Sequence, residues 1–102
     1  MIQYKLIFHK KVEDDLKKLD TSILNLFEKK LKQVLIDPSL GVDLGSKLGI
    51  NLCGFKKIYF ANKKYRIVYK VLKEEITVYI ISIGKREDMK VYKDAYKRLN
   101  DK

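Results

Sequence analysis

A short set of cations and phenol rings carries the chemistry this sequence can offer. The apolar run Ile80-Ile81-Ser82-Ile83 ends in Gly84. Lys85 and Arg86 follow at once, and Tyr92 comes six residues after Arg86. That order reads as a strand end, two adjacent cations, then a helix start, which puts an arginine and a tyrosine at the rim of a sheet. Upstream, Lys57, Tyr59, Arg66 and Lys70 fall in two stretches of alternating polar and apolar residues. Such side chains hold phosphates, stabilise negative charge developing at phosphorus and stack on unpaired bases. The single histidine, His9, closes the first expected strand and reads as a surface or turn residue rather than a base. The single cysteine, Cys53, reads as an inert thiol. One cysteine and one histidine argue against a metal site, and no cofactor is expected.

The composition agrees with a polyanion as partner. The chain has 102 residues, which fits one domain over 1–102. Lys plus Arg number 23 against 13 Asp plus Glu, a formal charge of +10. That balance favours nucleic acid. No apolar run approaches the ~18 residues of a spanning helix, so no membrane partner is expected. The start of the chain alternates polar and apolar residues and lacks the apolar region of a signal peptide. The unpaired cysteine suits a reducing cytoplasm.

The elements that must position these residues follow from periodicity. The fold class expected is α+β. Residues 2–8 alternate, with Tyr4, Leu6 and Phe8 on one face of a strand. Residues 10–19 place Val12, Leu16 and Leu19 at helical spacing. Asp20 or Thr21 caps a second helix to about Ile36, with Ile23, Phe27, Leu31, Val34 and Leu35 on one stripe; Asp37-Pro38 ends it. The two form a helical hairpin. Residues 38–54 hold four of the five glycines and the only proline, and read as an irregular connection. Residues 55–61, 64–72 and 75–83 read as a three-stranded antiparallel meander, turning near Asn62-Lys63 and Lys73-Glu74. Residues 87–99 read as a last helix, with Val91, Ala95 and Leu99 on one stripe and Tyr96 packing.

The strand pattern also fixes a register. Ile58 and Phe60 share a face with Tyr65 and Ile67 only if the first loop has an even number of residues. Phe60 then pairs with Tyr65, Ile58 with Ile67 and Tyr59 with Arg66, and Lys57 lies opposite Val68. A one-residue slip scrambles both faces. Lys57, Tyr59, Arg66 and Lys70 therefore gather on one face, opposite the core, while Lys56 points the other way by alternation. If 75–83 pairs antiparallel with 64–72, Arg86 emerges close to Arg66, with Tyr92 nearby. Each residue also has an ordinary reading. Arg66 can be a surface arginine pairing with Glu74 or Glu75, Lys85 and Arg86 a charged loop, and Tyr92 helix packing.

The segment Tyr65-Arg66-Ile67-Val68-Tyr69, followed by Ile81-Ser82-Ile83-Gly84-Lys85-Arg86 and Val91-Tyr92, resembles the RelE-type toxins of the RelE/ParE toxin–antitoxin superfamily. The likeness extends to the N-terminal strand, the helical hairpin, Lys47-Leu48 and the closing Ala95-Tyr96-Lys97-Arg98-Leu99. It implies a RelE-like, microbial-RNase-like sheet that supports an RNA-cutting site. It further implies ribosome-dependent cleavage of messenger RNA at A-site codons and neutralisation by a cognate antitoxin, with DNA met only through that antitoxin. By position, Arg66 matches the arginine that holds the scissile phosphate. Arg86 matches an arginine assigned to phosphate stabilisation or leaving-group protonation. Tyr92 matches a tyrosine that stacks on or orients the nucleotide, and Lys57 a basic residue acting as base or charge stabiliser. Lys47, Lys56, Tyr59, Lys70 and Lys85 complete the expected RNA-binding set. Tyr59 stands where a second family lysine would fall, and Gly49 where an arginine would follow the Lys-Leu pair. Two other classes remain open at this point: a ParE-type DNA gyrase inhibitor, and a non-catalytic basic module that binds RNA or ribosomes.

Overall fold

Alternation and capping build the elements. The computed structural model describes residues 3–47, 50–85 and 90–100, with the backbone alone at Ser46, Lys47, Ile50, Asn51, Cys53, Leu99 and Asn100. Strand β1 (Lys5–Phe8) leads into α1 (Val12–Lys17) and α2 (Thr21–Ile36), then β2 (Val42–Lys47), β3 (Ile50–Phe60), β4 (Tyr65–Leu72), β5 (Thr77–Lys85) and α3 (Lys90–Asn100). Helix α2 starts where it does because the Asp20 carboxylate accepts from Ile23 N at 2.9 Å and from Ser22 Oγ at 2.7 Å. Those bonds hold the Asp20 carboxyl below its usual value. No helix among the described residues is long and apolar enough to cross a membrane.

The five strands form one sheet in the order β1-β5-β4-β3-β2. Strand β1 runs parallel to β5, and the other neighbours are antiparallel. The expected register holds: Phe60 faces Tyr65, Tyr59 faces Arg66, Ile58 faces Ile67 and Lys57 faces Val68. The loop is an even turn, Ala61–Lys64, with left-handed φ at Ala61, Asn62 and Lys63.

The irregular connection expected over 38–54 is a correction. After a short 3-10 turn, Pro38–Leu40, it holds β2 and the first half of β3, so the meander has four antiparallel strands. Glycine frequency hid them. Gly45 and Gly54 sit inside strands at positive φ, and the β2–β3 register shifts between Asp43 and Gly45. Glycine in a strand marks a bulge or bend as readily as a loop.

The sheet has two covered faces. On one face, α1 and α2 lay Val12, Phe27, Leu31 and Val34 over Phe60, Ile67, Tyr69, Val78 and Ile80. On the other face, α3 lays Val91, Tyr92 and Ala95 over Leu44, Leu52, Phe55, Val68 and Ile81. The face expected to lie opposite the core thus carries a second, smaller core. Tyr96, expected to pack, is 40% exposed. His9 is a turn residue as expected: its Nδ1 accepts from Lys11 N at 3.1 Å, and burial lowers its pKa.

One residue ties α2's exit to the sheet. The Tyr69 hydroxyl donates to Pro38 O at 2.7 Å and accepts from Gly41 N at 3.0 Å. A Cβ on Gly41 would collide with that hydroxyl. Burial pushes the Tyr69 phenol up to about 12. The folded protein therefore keeps a proton that the unfolded chain releases near pH 10, so this contribution is full below about pH 10 and declines towards pH 12. Tyr69→Phe is expected to cost about 1–3 kcal/mol by stranding two buried backbone groups. It should also flatten the loss of stability above pH 10. Urea unfolding of both proteins at neutral pH and across the alkaline range checks both effects.

Candidate active site

Three of the residues singled out by sequence converge beneath α3. Period-two alternation sends Lys57 and Tyr59 to the α3 side of β3 and Arg66 to the same side of β4. Lys57 Nζ donates to Tyr59 Oη at 3.0 Å and lies 5.1 Å from the centre of that ring. The Arg66 guanidinium lies 5.8 Å from the Tyr59 ring and 4.5 Å from the Tyr92 ring. Both rings present the negative potential of their faces to the cation. Gly84 pairs with Arg66 across β4 and β5. A Cβ on Gly84 would come within 3.3 Å of Val91 Cβ, so glycine here lets the strand end pass close under α3.

Depth separates the members. Arg66 is 5% exposed and Tyr92 2%, whereas Lys57 and Tyr59 are half-buried. Arg66 Nε has no hydrogen-bond partner, and among the described residues no carboxylate forms an ion pair with Arg66. An approaching anion meets Lys57 and Tyr59 first, with the Arg66 charge beneath them. Tyr92, which the resemblance matches to a tyrosine that stacks on or orients the nucleotide, holds its ring against Arg66.

The remaining candidates lie further out. Lys70 is on the same side of β4, four residues and so about 13 Å along the strand from Arg66. Lys85 is exposed at the end of β5, opposite Tyr65. Lys56 lies on the other face, in an ion pair with Asp43 at 2.9 Å. Arg86 and Gly49 lie outside the described residues, as does the side chain of Lys47. A cavity of about 230 Å³ opens beside Gly84 and Lys85, with Lys18 and Lys90 as well as Asp15 and Asp94 in its lining.

Sequence reasoning missed what fixes α3 over this site. Arg98 Nη1 and Nη2 donate to the Asp15 carboxylate at 2.7 and 2.9 Å. Arg98 also donates to Ile81 O at 2.7 Å, and Asp15 accepts from Ile83 N at 3.0 Å. Strand β1 pairs with β5 only as far as Ile80, so these two side chains satisfy the open edge beyond it. The bond to Asp15 raises the Arg98 pKa. The two residues are 83 positions apart, and no local pattern pairs them.

With this geometry in place, known proteins can be set beside it. The family model for the ParE toxin of type II toxin–antitoxin (parDE) systems matches residues 6–89. The mRNA interferase toxin RelE of Escherichia coli K12 is 34% identical over 96 residues, 94% of this chain and 97% of that protein. A double arginine-to-alanine mutant of E. coli RelE in the free state superposes with a TM-score of 0.74 at 32% identity, covering 96% of this chain and 99% of that one. The intact E. coli RelBE toxin–antitoxin complex gives a TM-score of 0.66 at 30% identity, over 80% of this chain and 95% of its own. Likeness of sequence and fold runs almost end to end in the RelE relatives, and the chain belongs to the RelE-type toxins of the RelE/ParE superfamily.

Proposed function

We propose that this protein is the toxin of a type II toxin–antitoxin pair, a ribosome-dependent endoribonuclease that cuts messenger RNA at A-site codons and so inhibits translation. The observation that carries this reading is Arg66, a buried guanidinium held between two rings with no carboxylate partner among the described residues. Burying a cation without a counter-ion costs on the order of several kcal/mol. A phosphate drawn to this face offsets that cost, and does so most strongly when it carries the extra charge of a phosphorane.

Cleavage begins when the 2′-hydroxyl attacks the adjacent phosphorus. Lys57 faces the non-bridging oxygens from the half-exposed rim, and Arg66 adds its field from below. Arg86, which follows two residues after the Gly84 that pairs with Arg66, is the further cation assigned to the phosphate. Tyr92 keeps Arg66 in place, while Lys85 and Lys70 receive the flanking backbone. Without a histidine in this set, the rate on free RNA is low. The ribosome raises it by presenting the message with its hydroxyl in line. The other partner is a cognate antitoxin from the same operon, whose acidic segment complements a chain of charge +10. The cytoplasm, where ribosomes and message meet, is the site of action.

Primer extension on a defined message in a reconstituted translation reaction tests this, with wild type beside Arg86→Ala. Cuts that need ribosomes and drop at least 100-fold in the mutant support the assignment. The matching family model is that of the ParE toxin, and the resemblance to ParE-type toxins keeps a second reading, inhibition of DNA gyrase. Intact message with wild type, together with loss of supercoiling in a gyrase assay, selects it. A non-catalytic RNA binder instead shows no cuts, and Arg86→Ala lowers its salt slope by about one unit.

A further inference from the structure

The cation set leaves one chemical need unmet. When the bond from phosphorus to the 5′-oxygen breaks, that oxygen must gain a proton. Arginine, with a pKa above ~12, gives its proton up reluctantly. His9 directly follows β1, which is three strands from β3 in the sheet order, or about 14 Å at the usual strand spacing. One group at the site has a transferable proton and a neighbour able to stabilise its loss. Tyr59 is half-buried on the rim, its oxygen accepts from Lys57 Nζ at 3.0 Å, and its ring lies 5.8 Å from the Arg66 guanidinium.

We propose that Tyr59 is the general acid of the reaction, its phenol protonating the departing 5′-oxygen while the Lys57 ammonium stabilises the phenolate. The assignment rests on the RNA-cleaving reading above. In the step, the 2′-oxygen bonds to phosphorus and its proton passes to water. The bond from phosphorus to the 5′-oxygen breaks, and its electron pair takes the phenolic proton. The products are a 2′,3′-cyclic phosphate and a 5′-hydroxyl, with no change of oxidation state. The phenolate regains a proton from solvent before the next turnover.

Two features place the acid at Tyr59 rather than at Lys57 itself. Lys57 directs its ammonium at the phenol oxygen, which places the cation where the phenolate charge would develop. The same geometry lets a single cation serve twice, first on the phosphate's developing charge and then on the phenolate. Tyr59 and Lys57 are two residues apart on one strand, so the backbone holds the pair without a loop to order.

A message with sulfur in place of the bridging 5′-oxygen at the A-site codon tests this, because a thiolate leaves without needing a proton. Wild type and Tyr59→Phe are compared on the oxygen and sulfur messages in single-turnover cleavage on ribosomes. Tyr59→Phe is expected to cut the oxygen message about 10²–10⁴-fold more slowly and the sulfur message within threefold of wild type. Near-normal cutting of the oxygen message by Tyr59→Phe overturns the proposal. So does an equal loss on both messages with an unchanged thermal melt, which makes Tyr59 a positioning residue. If wild type cuts neither message on ribosomes, the RNA-cleaving reading itself falls.

Discussion

Arg66→Ala is expected to lower single-turnover cleavage of ribosome-bound message by about 10²–10³-fold, the scale on which one preorganised charge contributes to a transition state. Ribosome binding should change far less, because one charge of 23 is a small part of a diffuse attraction. Stability should also move little. Alanine forfeits the contacts with the Tyr59 and Tyr92 rings, worth up to about 2 kcal/mol for a desolvated cation. It also removes a buried guanidinium whose Nε has no partner, and these effects oppose each other. The combination is diagnostic, because a structural arginine would lose stability first and rate only as a consequence. Arg66→Lys keeps a positive charge but not the planar group between two rings, so it should recover only part of the rate. Cleavage rates, ribosome pelleting and a thermal melt on the three proteins decide the matter. Cleavage by Arg66→Ala within threefold of wild type would remove Arg66 from the site.

The placement of Arg66 was legible from alternation alone, but its depth was not. Tyr65-Arg66-Ile67-Val68-Tyr69 against Ile58-Tyr59-Phe60 admits one register that keeps a face apolar, and that register sets Arg66 beside Tyr59. Read from sequence alone, that face stays open, because Leu44 and Leu52 fall in the irregular connection expected over 38–54. Without them, Phe55, Val68 and Ile81 make too small a patch to seat a helix. With them, Val91, Tyr92 and Ala95 have a surface to dry, and α3 settles over the arginine. The glycines that hid β2 act for bulge and bend, a use that composition does not distinguish from a turn. The Lys57–Tyr59 bond follows from two-residue spacing on one strand, yet which atom meets which depends on rotamers that spacing does not specify.

The ion pair that holds α3 shows the same limit at longer range and carries the largest expected effect on stability. Asp15→Ala is expected to cost about 3–5 kcal/mol, the usual penalty for removing one partner of a buried pair. The side chains of Arg98 and Asp15 are 9% and 7% exposed, so the stranded guanidinium gains little from water. Its remaining carboxylate, Asp94, is 3.9 Å away, and Ile83 N–H loses its acceptor. Set against the total of roughly 5–15 kcal/mol typical of a domain, that loss brings the protein close to unfolding at 37 °C. Urea unfolding at pH 7 measures it, and a loss below 1 kcal/mol would show that the pair is not what fixes these elements. The double change Asp15→Leu with Arg98→Met separates charge from packing. Replacing both partners with apolar groups of similar volume should recover most of the stability, short of the contribution of the Ile83 bond. Activity need not follow. Arg98 is six residues and about 9 Å along α3 from Tyr92, and its bonds to Asp15 and Ile81 O set the axial position of the helix that shields Arg66. A double mutant that is stable but slow to cleave would show that the pair sets where Tyr92 sits over Arg66, beyond any part it has in keeping the chain folded.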